Sequence, residues 1–218
     1  MTSPPTVPYT MPEAASLPAC GPAWSIDPRR SALLVQHVQK YLLRLLHDSA
    51  PVGELLSNVG RLTHSARSAG VPVVYVARAP GPAGARKGAP GPVLPGPPAE
   101  AEVRAFADVV QPQAGDTVLT AKRYSAFAGT RLRARLNELG RDQLVVVGAL
   151  ARTDVLLTAA DAWMQDLQPF VVIDAVVDTT AADHAMAVHW LAATCAAVTV
   201  TGPVADTFRG GRVDAAAG

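Results

Sequence analysis

Apolar residues along this chain gather in short runs, set apart by longer stretches with helical spacing. Residues 32–35 (Ala32-Leu33-Leu34-Val35), 71–77, 118–120, 143–147, 169–173 and 197–201 are runs of strand length, the pattern of strands buried in a sheet. Pro72 falls at the start of its run, where a strand tolerates it. Between the runs, residues 42–46, 55–69, 132–139, 155–166 and 181–195 read as helices. In the second of these, Leu55, Val59, Leu62, Ala66 and Ala69 repeat at close to the helical period, and Gly70 is placed to end the helix. Gly140 does the same for 132–139. Residues 174–178 read as the start of a polar loop, and the chain after Gly202 as weakly structured. Strands alternating with helices imply βαβ units. Right-handed crossovers then give an α/β fold, a three-layer α/β/α sandwich around a mostly parallel, Rossmann-like sheet.

Residues 1–28 are proline-rich and without period, an extended arm for which Trp24 is the expected anchor. A single domain is expected over 29–205, followed by a tail over 206–218. Residues 79–98 form a Pro/Gly-rich loop, and a structureless stretch of this length is usually functional or disordered.

Composition narrows the function. Of 218 residues, 17% are charged, and the net charge is +1. That gives no electrostatic case for nucleic acid or a membrane surface. No apolar run approaches the roughly 20 residues of a membrane span, and no secretory signal is apparent. Cys20 and Cys195 lie far apart and outside any C-x-x-C or zinc spacing, as expected of free thiols in a reducing cytoplasm. A Walker A pattern and G-x-G-x-x-G are both absent, and no cofactor is expected. His184 and His189 stand five apart, the wrong spacing for joint ligation on one helix face, and no metal is expected. A small molecule is the expected ligand.

The polar cluster that ends the first strand, Gln36-His37-Val38-Gln39, is where an open α/β sheet binds ligands. This stretch resembles the first strand of the isochorismatase-like hydrolases. Other segments carry the resemblance in order: Trp24 to Arg30, Ala69 to Tyr75, Leu119 to Phe127 with its Arg123-Tyr124-Ser125-Ala126-Phe127 motif, Gly140 to Gly148, Asp161-Ala162-Trp163, Asp166 to Phe170 and Asp174 to Asp178. Together they cover about residues 20–201 and are most similar to the phenazine-pathway type, which acts on 2-amino-2-deoxyisochorismate.

The resemblance implies a parallel-sheet hydrolase, often a homodimer, from bacterial natural-product biosynthesis. In active members an Asp at the end of the first strand protonates an enolpyruvyl ether, a Lys holds that carboxylate and the substrate, and pyruvate leaves. Here His37 takes the Asp position and Ala121 the Lys position. Asp154 stands where amidase relatives carry a Cys nucleophile. With no Cys near it, amidase chemistry is rejected. Leu150 replaces a substrate-contacting Tyr, and Arg78 a Gln.

Histidine needs no tuning to act as an acid, since its ordinary pKa is about 6.5. The expected catalytic pair is therefore His37 with Asp154, the carboxylate orienting the ring. The expected substrate-binding set is Gln39, Arg78, Arg86, Lys122, Tyr124, Ser125, Phe127 and Leu150. Arg86 or Lys87 would stand in for a family Arg carried by the 79–98 loop. Lys122 should face away from the Ala121 side unless a bulge turns it inward. The expected function is enol-ether hydrolysis, or a repurposed acid–base reaction at His37, on a small cyclic or carboxylated metabolite. The alternative is a catalytically silent relative that binds a small molecule or partner.

Overall fold

A computed structural model describes residues 8–79 and 105–210. Within them, six parallel strands form one sheet: β1 (Ser31–Gln36), β2 (Val73–Arg78), β3 (Thr117–Ala121), β4 (Gln143–Ala149), β5 (Gln168–Val177) and β6 (Ala197–Thr199). Their order is β3-β2-β1-β4-β5-β6. The helices are α1 (Lys40–Leu46), α2 (Val52–Ser68), α3 (Leu132–Glu138), α4 (Leu156–Met164), α5 (Ala181–Thr194) and α6 (Thr201–Gly210).

The three layers follow from strand alternation. Leu33 and Val35 of β1 face the core beneath α1, α2 and α6, with Leu42, Leu55, Val59, Leu62 and Phe208. Ala32 and Leu34 face the opposite core beneath α3, α4 and α5, with Leu136, Val155, Ala159, Ala187 and Leu191. Every residue of β1 and β4 is buried, because both faces are covered.

Two expectations are corrected. The segment 174–178 is not a loop: β5 runs on to Val177, with a register irregularity against β4 between Val146 and Gly148. Asp174 accommodates this by turning its Oδ1 to the start of α6, accepting from Thr201 N–H at 2.7 Å and from its hydroxyl at 2.9 Å. Nor are residues 203–210 weakly structured. Capped in this way, they lie in α6, whose Val204, Ala205 and Phe208 are buried.

The N-terminal arm is pinned to the domain at two places. Trp24 packs edge-on against Phe170. The Tyr9 hydroxyl lies 3.1 Å from His184 Nδ1 and accepts from the Asp178 N–H at 3.0 Å. Burial pushes His184 down to about 4, so the ring is neutral.

The strand order reverses between β1 and β4. Chains leaving these two strands diverge to opposite faces, and a crevice opens at their carboxyl ends. Close approach there depends on Gly148. Its φ is +128°, and a Cβ would fall 2.0 Å from the Gln36 carbonyl oxygen.

Candidate active site

His37 follows β1 with a left-handed φ of 54°. Its N–H still bonds the Val76 carbonyl of β2 at 2.9 Å, and its own carbonyl accepts from Gln39 N–H at 2.8 Å. The backbone thus leaves the sheet sharply and carries the imidazole to the switch point. Leu150, after β4, has a φ of 63°. Its carbonyl receives the N–H groups of Asp154 and Val155 at 2.9 and 3.1 Å, which close a π turn, Ala151–Val155. That turn carries Asp154 toward His37. The helix expected from residue 155 therefore begins in a wider turn.

The two side chains meet. His37 Nε2 lies 3.0 Å from Asp154 Oδ1, and both side chains are 0% exposed. The distance is that of an ion pair, but the ring N–H is not aligned as a directional hydrogen bond. Arg78, at the end of β2, bonds the same Asp154 oxygen through its guanidinium. Thr153 Oγ1 donates to the other oxygen at 2.8 Å. Burial pushes the Asp154 carboxyl up, but His37 and Arg78 outweigh it and hold the group below the usual carboxylate range. The Arg78 guanidinium also lies over the Tyr124 ring, 5.6 Å from its centroid.

The other expected residues divide. Gln39 fixes the strand ends: its Oε1 accepts from the Arg78 N–H at 2.8 Å. Leu150 is fully buried and shapes the turn. The Ser125 hydroxyl is spent on Asp161 of α4, to which it donates at 2.6 Å. Phe127 packs into the core on that same side. Lys122 is exposed beside the buried Ala121, as strand alternation requires, and no bulge turns it inward. Arg86 lies outside the described residues.

Tyr41, in the first turn of α1, was not anticipated. It is 5% exposed, and its hydroxyl has no hydrogen-bond partner among the described residues. Burial pushes its phenol up to about 12, while the charges of Arg78 and Asp154 act on it in opposite senses. The available signal was a hydroxyl-bearing residue four positions beyond His37. Asp178, one residue past β5, supports the π turn: its carboxylate accepts from the Arg152 N–H at 2.6 Å. Among the described residues no three His, Cys, Asp or Glu side chains converge as a metal-binding set.

The Isochorismatase domain family matches residues 31–202, from the first residue of β1 into α6. The chain belongs to the isochorismatase family. Among relatives, it is 40% identical over 206 residues to the phenazine biosynthesis protein PhzD of Pseudomonas fluorescens, covering 92% of this chain and 97% of that one. To the isochorismatase of Bacillus subtilis it is 35% identical, covering 98% of this chain and 69% of that one. An isochorismatase family protein from Burkholderia thailandensis superposes with a TM-score of 0.73 at 25% identity, covering 84% of this chain and 97% of that structure. Within this isochorismatase fold, His37, Asp154 and Arg78 form one buried charge cluster at the sheet's switch point. No helix among the described residues is long and apolar enough to cross a membrane.

Proposed function

We propose that this protein is a hydrolase of bacterial natural-product biosynthesis that cleaves an enolpyruvyl ether of a small, cyclic, carboxylated metabolite, with His37 as the acid. The observation that carries the reading is the 3.0 Å approach of His37 Nε2 to Asp154 Oδ1 in a fully buried setting. A carboxylate there stabilises the imidazolium and holds the ring. Nδ1 is left without a partner among the described residues, and it is the nitrogen assigned to the reacting atoms.

The steps balance. Imidazolium Nδ1–H passes its proton to the vinyl CH2 carbon, leaving an oxocarbenium ion. Water adds to that cation, and the free Nδ1 takes the water's proton. The hemiketal collapses to pyruvate and the ring alcohol. With His37 charged, the cluster of His37, Arg78 and Asp154 carries two cations against one carboxylate, an excess that suits a carboxylated substrate. General acid catalysis of this kind contributes about 100- to 10,000-fold. The working enzyme is proposed to be a cytoplasmic homodimer.

The test is turnover of isochorismate or 2-amino-2-deoxyisochorismate in D2O, followed by NMR. Carbon protonation yields pyruvate whose methyl group carries one deuterium. Pyruvate formed without that label refutes proton delivery to carbon. A second reading, a silent small-molecule binder, draws on the full burial of His37, Asp154 and Leu150. It predicts no pyruvate and a ligand that is recovered unchanged.

A further inference from the structure

The Tyr41 side chain has two parts with different standing. Its ring belongs to the core beneath α1 and α2, with Val38 and Leu42 among its neighbours in the cluster. Phenylalanine would fill that place equally well. The hydroxyl adds a buried polar group with no partner among the described residues, and such a group lowers stability relative to the apolar ring. The hydroxyl is left available to a group that the described residues do not supply.

The surroundings indicate what that is. His37 Nδ1, four residues back, is likewise buried and unpartnered. Arg78 and Asp154 both act on the Tyr41 phenol, which burial keeps protonated. With His37 in the charged form proposed above, the hydroxyl is a donor without a partner among the described residues, beside a cluster of two cations and one carboxylate. Its complement is an oxygen that is both an acceptor and negative.

We propose that the Tyr41 hydroxyl is a ligand-binding group that donates to a carboxylate oxygen of a small organic acid held beside His37. This rests on the reading of His37 and Arg78 as a small-molecule site, and it names the recognised feature: an anionic oxygen, so that a neutral isostere of the same shape gains nothing from Tyr41.

The test is Tyr41→Phe in the full chain, with benzoate as the charged probe and benzamide as the neutral one. Without ligand, the variant should melt higher than the native protein, by about 2–4 °C. Benzoate should raise the native midpoint and bind the variant roughly tenfold or more weakly, the loss expected for a hydrogen bond to a charged group. Benzamide should act equally on both. A lower ligand-free midpoint in the variant overturns the proposal, because the hydroxyl then has a structural partner. Native protein indifferent to benzoate overturns it too, as does unchanged benzoate affinity in the variant. Pyruvate release is followed on the same samples. If native protein never turns over isochorismate, the hydrolase reading fails, and the benzoate comparison still judges Tyr41 by itself.

Discussion

Replacing Asp154 by Asn withdraws the negative charge that faces the buried Arg78 guanidinium and the His37 ring. His37 Nε2 stands 3.0 Å from Oδ1, Arg78 bonds the same oxygen, and exposure is 0% for His37 and Asp154 and 6% for Arg78. Asparagine keeps the shape of the carboxylate and can still accept from Thr153, but it neutralises nothing. Removing one partner of a buried pair typically costs about 3–5 kcal/mol, because an uncompensated charge stays behind. At about 2–4 °C per kcal/mol for a domain of this size, the melting midpoint should fall by about 6–20 °C. The pH dependence has a definite sign. Asp154 is held below its ordinary range, so the folded state binds its proton less readily than the unfolded chain. Its contribution is complete above the unfolded value of about 3.9 and is lost as pH falls through the folded one. The gap between native and Asp154→Asn proteins should therefore be widest near neutrality and narrow in acid. Urea unfolding of both proteins across that range measures it. A loss below about 1 kcal/mol at neutral pH, the scale of an exposed pair, would refute the reasoning, and so would a gap that ignores acid. In a double-mutant cycle, Arg78→Gln should cost less in the Asp154→Asn background than in the native one, by about 0.5–3 kcal/mol.

Three further outcomes are expected. Gly148→Ala drives a Cβ to 2.0 Å from the Gln36 carbonyl oxygen and should part β1 from β4. A loss above about 4 kcal/mol is expected, read as failure to recover folded protein, and a normally folded variant contradicts this close approach. His184, neutral and lowered to about 4, has a folded pKa below its unfolded one. Its share of stability is full above about pH 6.5 and lost as pH falls toward 4, a change of about 3 kcal/mol. His184→Gln should flatten the stability–pH curve in that window, and an unchanged slope refutes the assignment. Phe208→Ala, at 0% exposure on α6, should cost about 3–5 kcal/mol in urea unfolding. A cost under about 1 kcal/mol would show that α6 does not seal the core.

Much of the architecture was legible because both layers of helix leave their mark on the strands. Leu33 and Val35 belong to one core and Ala32 and Leu34 to the other, so the run is apolar throughout, and the helix through Leu55, Val59 and Leu62 shows its own period. What was misread depended on distant partners. Asp174 looks like loop polarity until Thr201 is seen to need its carboxylate. The stripe of Val204, Ala205 and Phe208 is too short to announce a helix, and Pro203 at its start disguises one. At the site, the pairing of His37 with Asp154 could be anticipated because adjacent strands end there. The turn of Arg78 toward that same carboxylate could not, since it depends on the register of β2 against β1. Beyond its place four positions after His37, Tyr41 carries no mark in the sequence, because a hydroxyl without a partner among the described residues shows only in the fold.

The account turns on His37 as the proton donor, and the most direct measurement is the rate of pyruvate release from isochorismate by native, His37→Ala and Asp154→Asn proteins at equal folded concentration. The native protein should release pyruvate, His37→Ala should be slower by about 100- to 10,000-fold, and Asp154→Asn should also lose most of its rate. Pyruvate release that survives the loss of His37 would contradict the account.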